Sequence, residues 1–379
     1  MQENYQQKIL GILGGGQLGR MLIQSAINYN IDIHILDPDD QAPCKFLANR
    51  FTQGKLTDFE AVYNFGKNCD IITIEIENVN TDALAQLEKE GKKVYPQPHI
   101  IRLIQDKRKQ KQFYVENGIP TAEFLLTENR EEVKKNVDFL PAVNKLGTEG
   151  YDGRGVQIIR NKSDLDLAFE APSLLEKLID FEKEIAVIVS RNEAGELTTF
   201  PPVECSYHPE ANLVEFLFSP AEISREVEEK ALQVAKDVML KLNMVGILAV
   251  EMFVTREAEI LVNEIAPRPH NSGHHTIEAN FTSQFEQHLR SVMNMPLGDT
   301  GIRTPAAMVN LLGEEGYTGN ALVEGLNEAM GEKGVYVHLY GKKITKPFRK
   351  MGHVTILEEN PKKLKAKALR IKNSIKIKS

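Results

Sequence analysis

Residues 245–276 constrain the fold of this chain more than any other stretch. Two apolar runs, residues 247–254 and 260–265, flank the polar sequence Thr-Arg-Glu-Ala-Glu, a pattern that predicts a β-hairpin. Such a hairpin places Glu251 opposite Glu264, with side chains about 5 Å apart on one face. Two carboxylates that close among apolar neighbours repel each other unless a cation neutralises them, and hard oxygen ligands favour Mg²⁺ or Mn²⁺. We therefore expect a metal pair here; the alternative is a surface hairpin whose glutamates pair with Lys or Arg.

The segment after the hairpin favours the metal site. Asn263 precedes Glu264, and the chain continues as Ala-Pro-Arg-Pro-His-Asn-Ser-Gly-His-His. The two prolines end the strand, so the loop presents several side chains beyond the carboxylates, namely Arg268, His270, Asn271 and His274. An arginine, histidines and an amide beside a metal indicate a site that handles anions. Strict strand alternation turns Asn263 away from the face of Glu264, so its participation requires a bend, which we expect near Pro267.

Composition excludes several classes of protein. Of 379 residues, 42% are hydrophobic and 26% charged, which suits a globular protein of two or three domains. The net charge of −7 argues against a nucleic-acid partner, and the basic residues 362–378 are typical of a solvated helix face. The three cysteines lack metal or redox spacing, no apolar run reaches the roughly 18–20 residues of a membrane span, and residues 1–8 do not resemble a signal peptide. We expect a cytoplasmic protein without a membrane partner.

The N-terminal part reads as an open parallel sheet. A strand at residues 8–13 leads through the glycine-rich turn 14–19 into an amphipathic helix, and a second strand, 31–36, ends at Asp37. Such a βαβ unit predicts phosphate or nucleotide binding at the helix start; the alternative is tight helix–strand packing. Further predicted helices lie at 59–69 and 82–91, and further strands at 71–76 and 93–95. Glu75 and Glu77 then fall at the edge of the sheet where ligands bind.

The middle of the chain predicts a lid. A strand at 139–145 precedes the glycine-rich loop 146–155, and another strand follows at 156–159. A loop between two strands suits a flap over phosphates and does not suit the strand-to-helix P-loop. Upstream, a helix at 101–117 carries the basic run 106–111, which we interpret as a solvated face. Strands are also predicted at 174–179, 184–189, 305–311 and 335–339, and a long helix is predicted at 224–242. The strand at 174–179 is either an adenine-binding hinge or an ordinary part of the core.

Three motifs carry a family resemblance. They are Gly-Tyr-Asp-Gly-Arg-Gly at 150–155, Asn-Glu-Ile-Ala-Pro-Arg-Pro-His-Asn-Ser-Gly-His at 263–274, and Arg-Lys-Met-Gly-His at 349–353. Together with the order of elements, they resemble the ATP-grasp superfamily and, within it, the N5-carboxyaminoimidazole ribonucleotide synthetases, over nearly the whole chain. The resemblance implies an α/β and α+β architecture: a Rossmann-like pre-ATP-grasp domain (1–98), a linker helix and ATP-grasp lid (99–188), and a metal-binding catalytic domain with a C-terminal substrate segment (189–379).

The resemblance also implies ligands and residue roles. The cofactors are ATP and Mg²⁺, with Mn²⁺ as an alternative metal, and the implied assembly is a homodimer. The implied ATP contacts are Lys107 and Lys145, the lid glycines Gly150, Gly153 and Gly155, the adenine and ribose contacts Glu176, Lys177, Leu178, Ile179 and Glu184, and His208. The implied Mg²⁺ ligands are Glu251 and Glu264, with Asn263 beside them. The residues implied to bind bicarbonate and the aminoimidazole are Tyr151, Asp152, Arg154, Arg268, His270 and Asn271. The residues implied to bind the ribonucleotide and its 5′-phosphate are Gln17, Leu18, Lys342, Arg349 and Lys350.

The reaction that the resemblance implies is carboxylation of 5-aminoimidazole ribonucleotide by bicarbonate, driven by ATP, in purine biosynthesis. The chain departs from the family pattern at Lys107, Glu149, Val156, Lys346 and Phe348, where Arg, Gly, Gln, Arg and Gly are more usual. These departures concern the lid and the affinity for ligands and leave the metal pair intact. The alternatives are another ATP-grasp enzyme, such as a formate-dependent glycinamide ribonucleotide transformylase, and a nucleotide-binding sensor without turnover.

Overall fold

The computed structural model describes residues 5–148, 155–207 and 214–379. The N-terminal part is a five-stranded parallel sheet with the strand order β3-β2-β1-β4-β5, which confirms the predicted open parallel sheet and adds β3. Its elements are β1 Ile9–Leu13, α1 Gln17–Ile27, β2 Asp32–Asp37, β3 Arg50–Gln53, α2 Phe59–Gly66, β4 Ile71–Ile74, α3 Thr81–Lys89 and β5 Lys93–Val94. The side chains of Asp58 and Asn80 cap α2 and α3, as short polar residues at N-caps do.

A four-stranded antiparallel sheet with the order β6-β9-β7-β8 follows. This part contains α4 Pro98–Ile104, α5 Lys107–Glu116, β6 Phe124–Thr127, α6 Arg130–Lys135, β7 Ala142–Leu146, β8 Val156–Ile159 and β9 Ser173–Lys177. The single helix predicted at 101–117 is wrong, since it is divided into α4 and α5. The Asp106 side chain accepts a hydrogen bond from Arg108 N at 3.0 Å and so starts a new helix. Lys107 thereby becomes the first residue of α5.

The largest sheet has the strand order β15-β14-β10-β12-β13-β16-β21-β19, with β11 paired to β10. Its first half contains β10 Phe181–Arg191, β11 Leu197–Thr199, β12 Val203–Tyr207, β13 Val214–Ser219, α7 Arg225–Leu242, β14 Gly246–Thr255, β15 Ile260–Ala266, α8 Thr276–Ala279 and α9 Gln284–Val292. The predicted domain boundary at residue 188 falls inside β10. The predicted long helix is confirmed as α7: Ser224 caps its start, and Asn243, in the left-handed conformation, ends it.

The C-terminal part continues this sheet. Its elements are β16 Ala306–Leu312, β17 Gly319–Asn320, β18 Leu322–Glu324, α10 Leu326–Met330, β19 Val335–Leu339, β20 Ile344–Thr345, β21 Lys350–Leu357, α11 Pro361–Ser374 and β22 Lys376–Lys378. The basic C-terminal run is only partly a helix, because its last residues pair with β18. Leu364, Ala368 and Ile371 are buried on the inner face of α11.

Hydrophobic burial explains how these layers hold together. The largest core lies between α7 and strands β10, β14 and β15, and it also takes in α4 and α5. A second core joins α1 to α9 and so fixes the N-terminal sheet against the central one, with Tyr340 packed into it. Within the described ranges, no helix is both long and apolar enough to cross a bilayer. The four-stranded sheet has a separate core that contains Val133, Ala142, Ile159 and Leu175.

Candidate active site

The predicted hairpin is confirmed as β14 and β15, with Glu251 directly opposite Glu264. The register then shifts, so that Met252 faces Val262 and Asn263 is the extra residue of a β-bulge. A bulge re-aims the side chains next to it. The bend expected near Pro267 is therefore wrong, because the bulge at Asn263 itself lets the amide and the Glu264 carboxylate both reach lysines from the lid side.

The two glutamates have opposite electrostatic environments. Lys107 Nζ donates to Glu264 Oε2 at 2.7 Å, and this charge lowers the pKa of Glu264 to about 2. Burial, with the neighbouring Glu264 charge, raises the pKa of Glu251 to about 8. Of the residues that the structure describes, no group of three or more His, Cys, Asp or Glu is arranged to hold a metal ion by itself. A divalent cation fits two facing carboxylates whose other ligands come from a phosphate or water.

Glu184 shares the face of the metal pair. Ala186 lies opposite Glu251, and Glu184, two residues earlier on β10, therefore points to the same side of the sheet. Burial raises the pKa of Glu184 to about 7, with Lys145 opposing the rise and Glu264 adding to it. The structure thus brings this residue to the floor of the cleft beside the carboxylate pair; its role toward the ribose stays a prediction.

Three lysines converge on the hairpin from α5 and β7. Lys145 Nζ donates to Asn263 Oδ1 at 2.8 Å and lies 2.6 Å from Glu176 Oε2. Lys111 donates to the other oxygen of Glu176, and both of these side chains are nearly inaccessible. The prediction of a solvated face for the basic run 106–111 is therefore wrong for Lys107 and Lys111. The Glu176 carboxylate binds lysines, so a direct contact between it and a ribose is not what this geometry presents.

The predicted hinge lies at the end of β9. Lys177 Nζ donates to the carbonyl of Phe139 at 2.8 Å, and the backbone N–H of Leu178 donates to Pro141 O at 3.1 Å. The segment from Lys177 to Ile179 is half-buried. The Leu178 N–H is therefore occupied within the lid sheet, and adenine recognition by this segment stays a prediction.

The loop after β15 packs against several elements. Arg268 Nε lies 2.9 Å from Glu77 Oε1 of the N-terminal part, and His270 Nε2 lies 3.7 Å from Glu251 Oε1. Asn271 and Asn310 exchange side-chain hydrogen bonds, at 2.9 Å and 2.8 Å. The structure thus brings Arg268 to Glu77 and His270 to Glu251, whereas Asn271 and His274, which the sequence predicts to be presented by the loop, are buried.

The glycine-rich turn differs from the expected phosphate site. The N–H of Gly15 donates to Asp37 Oδ2 at 2.6 Å, and the N–H of Gly16 donates to Glu75 Oε2 at 2.7 Å. A Cβ on Gly16 would lie 2.3 Å from Glu75 Oε1, so only glycine allows this approach. Gln17 and Leu18 begin α1 just beyond. The N–H groups of Gly15, Gly16 and Gly19 therefore already donate to carboxylates, which differs from a turn whose N–H groups await a phosphate.

The cationic residues before and within β21 lie beside this turn. Lys342 Nζ donates to Lys350 O at 2.9 Å, and Arg349 Nη1 donates to Ile344 O at 2.6 Å. A Cβ on Gly341 would lie 3.3 Å from a guanidinium nitrogen of Arg20 on α1, and the charge of Lys350 reaches Glu251. The start of α1 and the segment before β21 therefore lie close together, and the ribonucleotide site that they would form stays a prediction. Phe348 has a positive φ of 60°, which explains why glycine is the more usual residue at this position.

Six predicted site residues lie outside the described residues: Gly150, Tyr151, Asp152, Gly153, Arg154 and His208. Gly155 is described, with a φ of +77° at the base of the lid loop. Sequence reasoning missed other residues that the structure brings to the site, namely Lys111, Thr121, Gln284 and Asn310, and it left Glu75 without a role. The signal for Lys111 was its spacing of four residues from Lys107 on one helix face.

Comparison with known proteins agrees with this architecture. Residues 7–105 match the ribonucleotide synthetase preATP-grasp domain, 112–285 the ATP-grasp domain, and 306–367 the C-terminal domain of phosphoribosylaminoimidazole carboxylase. A chloroplastic phosphoribosylaminoimidazole carboxylase of Vigna aconitifolia is 40% identical over 358 residues, which are 92% of this chain and 64% of that protein. The chain thus spans less than two thirds of the length of that relative.

Solved structures match over the full length. The N5-carboxyaminoimidazole ribonucleotide synthetase of Thermotoga maritima is 42% identical, with a TM-score of 0.90 over 98% of this chain and 99% of that one. The N5-carboxyaminoimidazole synthase of Aspergillus clavatus, solved with ADP and 5-aminoimidazole ribonucleotide, is 32% identical, with a TM-score of 0.88 over 97% of this chain and 99% of that one. These matches cover all three sheets and the cleft between them. The chain therefore belongs to the N5-carboxyaminoimidazole ribonucleotide synthetase family of ATP-grasp proteins.

Proposed function

We propose that this protein carboxylates the exocyclic amine of 5-aminoimidazole ribonucleotide, using bicarbonate and ATP and releasing ADP and phosphate. The observation that carries the proposal is the convergence, in one cleft, of two facing carboxylates, Glu251 and Glu264, with the cations Lys107 and Lys145. Such an arrangement suits phosphoryl transfer, which depends on charge neutralisation and positioning. The Aspergillus clavatus relative, whose structure holds ADP and the ribonucleotide together, supports the choice of substrate.

The residues fit a divalent cation, and we propose Mg²⁺ on Glu251 and Glu264. When bound, it would neutralise charge on the phosphate oxygens of ATP. Lys107 and Lys145 turn from Glu264 and Asn263 to the phosphates, because each ammonium exchanges one oxygen partner for another of higher charge. This exchange leaves Glu264 and the Asn263 amide available for the cation.

The chemistry needs no nucleophilic side chain. A bicarbonate oxygen attacks the γ-phosphorus, the bond to ADP breaks, and carboxyphosphate forms. The amine nitrogen then attacks the carboxyl carbon and loses a proton as phosphate leaves. Arg268, which contacts Glu77, and His270, which lies beside Glu251, orient the anion. Closure of the lid excludes water, which would otherwise destroy the intermediate.

One assay tests this function directly. ADP release is measured with ATP, Mg²⁺, bicarbonate and 5-aminoimidazole ribonucleotide, and each component is omitted in turn. We expect ADP release to depend on all four components, and we expect the labelled carbon of ¹³C-bicarbonate to appear in the product. Release that requires formate and glycinamide ribonucleotide instead identifies the transformylase alternative. ATP binding without release under any condition identifies the sensor.

We also propose a homodimer, which the family resemblance supports. Sedimentation velocity at several protein concentrations tests it. A single species with the monomer mass of 42.6 kDa at all concentrations would contradict the proposal.

A further inference from the structure

Lys111 is the most deeply buried of the three lysines around the cleft. It lies one helical turn after Lys107 on α5 and is 2% exposed, as is Glu176. Its ammonium donates to Glu176 Oε1 and also to Thr121 Oγ1. The Thr121 hydroxyl in turn donates to Val262 O at 2.7 Å. Lys111 is therefore fixed between the lid sheet and β15, the strand that carries Glu264.

The Glu176 carboxylate is divided between two cations. One oxygen binds Lys111, and the other lies 2.6 Å from Lys145. The triad carries two positive charges and one negative charge, and the excess falls to Lys145, whose side chain is the more exposed at 14% against 3% for Lys111. Lys145 also donates a hydrogen bond to the neutral amide of Asn263, and its charge interacts with the carboxylates of Glu184 and Glu264. Lys145 is thus held in position by a carboxylate that it shares with Lys111.

The consequence follows from the cost of buried charge. Removing one partner from a buried ion pair leaves an uncompensated charge, which is strongly unfavourable. If Lys145 were the sole partner of Glu176, it could not turn to a phosphate without leaving the carboxylate bare. With Lys111 present, Glu176 keeps a cation when Lys145 leaves.

We propose that Lys111 is a positioning residue for Lys145, which it releases from Glu176 toward the phosphates of ATP. This rests on the proposed function, in which Lys145 contacts ATP. The Lys111 ammonium and the Glu176 carboxylate face each other directly, and each favours the charged form of the other. Burial lowers the pKa of Lys111 to about 8, with Glu176 opposing the change. Burial acts to raise the pKa of Glu176, but Lys145 and Lys111 outweigh it and the net pKa is lowered.

A double-mutant cycle tests the proposal. Lys111→Met removes the cation at similar volume, and we expect the Kd for ATP to rise about 10- to 100-fold, the range of one charge-assisted hydrogen bond. The KM for 5-aminoimidazole ribonucleotide should stay within about twofold of wild type. Adding Glu176→Gln removes the carboxylate that retains Lys145, so the double variant should regain ATP affinity to within about threefold of wild type. Rescue of the Kd without a parallel rescue in thermal unfolding identifies a positioning role, because relief of a bare buried carboxylate alone would appear in both measurements.

Lys109→Met is the matched control, because Lys109 belongs to the same basic run and has an exposed side chain. It should leave the Kd for ATP unchanged. Lys111→Gln provides a second variant that keeps a hydrogen bond without the charge; it should weaken ATP as Lys111→Met does, and thermal unfolding checks that each variant is folded.

Two results would overturn the inference: an unchanged Kd for ATP in folded Lys111→Met or Lys111→Gln, or a double variant as weak as the single one. Wild-type protein without ADP release dependent on the ribonucleotide would instead overturn the proposed function, and the Kd cycle would still report on Lys111.

Discussion

At the scale of single residues, two glutamates that face each other differ in pKa because their surroundings differ. Glu251 and Glu264 face each other across one rung of the ladder, yet burial raises the pKa of the first and Lys107 lowers the pKa of the second. The Lys107 ammonium therefore favours the charged form of Glu264. A cation that enters between the two glutamates replaces Lys107 as the partner of Glu264.

Glu264→Gln tests this assignment. We expect ADP release to fall by about a hundredfold or more, the loss that follows removal of one preorganised electrostatic group, and the Mg²⁺ concentration for half-maximal rate to rise. Steady-state rates across a Mg²⁺ titration provide the measurement. Glu257→Gln, at the exposed hairpin turn, is the control and should behave as wild type. Wild-type turnover of Glu264→Gln at ordinary Mg²⁺ would refute the metal site.

At the scale of elements, helix α9 holds the loop that carries His270. Gln284 is fully buried; its side-chain oxygen accepts from His270 N at 2.9 Å, and its nitrogen donates to His270 O at 2.7 Å. The same nitrogen lies 3.0 Å from His274 Nδ1. One amide thus satisfies both backbone groups of a proposed catalytic residue, since buried polar groups are costly when unpaired.

Gln284→Met should lower kcat for carboxylation about tenfold or more while the KM for ATP changes less than about twofold, because it disturbs the anion loop and not the lysines. The unpaired backbone groups should cost about 1–3 kcal/mol of stability. Gln287→Met is the matched control, because Gln287 is equally buried on the same helix but its side-chain oxygen accepts a hydrogen bond from Gly298 N. We expect it to lose stability and keep its turnover. Equal loss of turnover in both variants would show that the effect is unfolding alone. Steady-state kinetics measures the turnover of each variant, and urea unfolding measures its stability.

At the scale of the whole molecule, polar contacts fix the N-terminal sheet to the central one. His288 Nε2 of α9 lies 2.9 Å from Thr73 Oγ1 of β4, and Gln97 Oε1 accepts from Val245 N at 3.2 Å. Together with the core between α1 and α9, these contacts hold the N-terminal sheet against the sheet that contains β14 and β15. The contact through His288 depends on pH.

Burial lowers the pKa of His288 to about 3, whereas an unfolded histidine has a pKa of about 6.5. Between these values the unfolded chain binds more protons, so the contribution of His288 is full above about pH 6.5 and is lost as pH falls. Below pH 6, the free energy of unfolding should fall less steeply with decreasing pH in His288→Gln than in wild type. The difference between the two slopes should be about 1.4 kcal/mol per pH unit. The comparison with wild type is needed because Glu75 and Glu251, with raised pKa values, act in the opposite direction. Urea unfolding at pH 7, 6 and 5 measures it; parallel curves would contradict the prediction.

The sequence alone determined the features that depend on neighbouring residues. The polar turn between two apolar runs predicted a hairpin with Glu251 opposite Glu264, the glycine-rich turn marked the first βαβ unit, and the motifs identified the family. These patterns are local, because strand and helix periods repeat within a few residues. The bounds of most predicted strands and helices consequently agree with the structure to within a few residues.

The tertiary structure decided what depends on distant partners. A β-bulge, and not strand alternation, sets the direction of the Asn263 side chain. The Glu75 carboxylate, which follows the neighbouring strand of the sheet, binds the N–H groups of the glycine-rich turn. Lys111 belongs to a run that suits a solvated helix, but it is buried because Glu176, 65 residues away, neutralises its charge. Whether a charged side chain is buried is determined by the free energy of pairing it in the folded state. That partner is chosen by the packing of the sheets, and no local pattern encodes it.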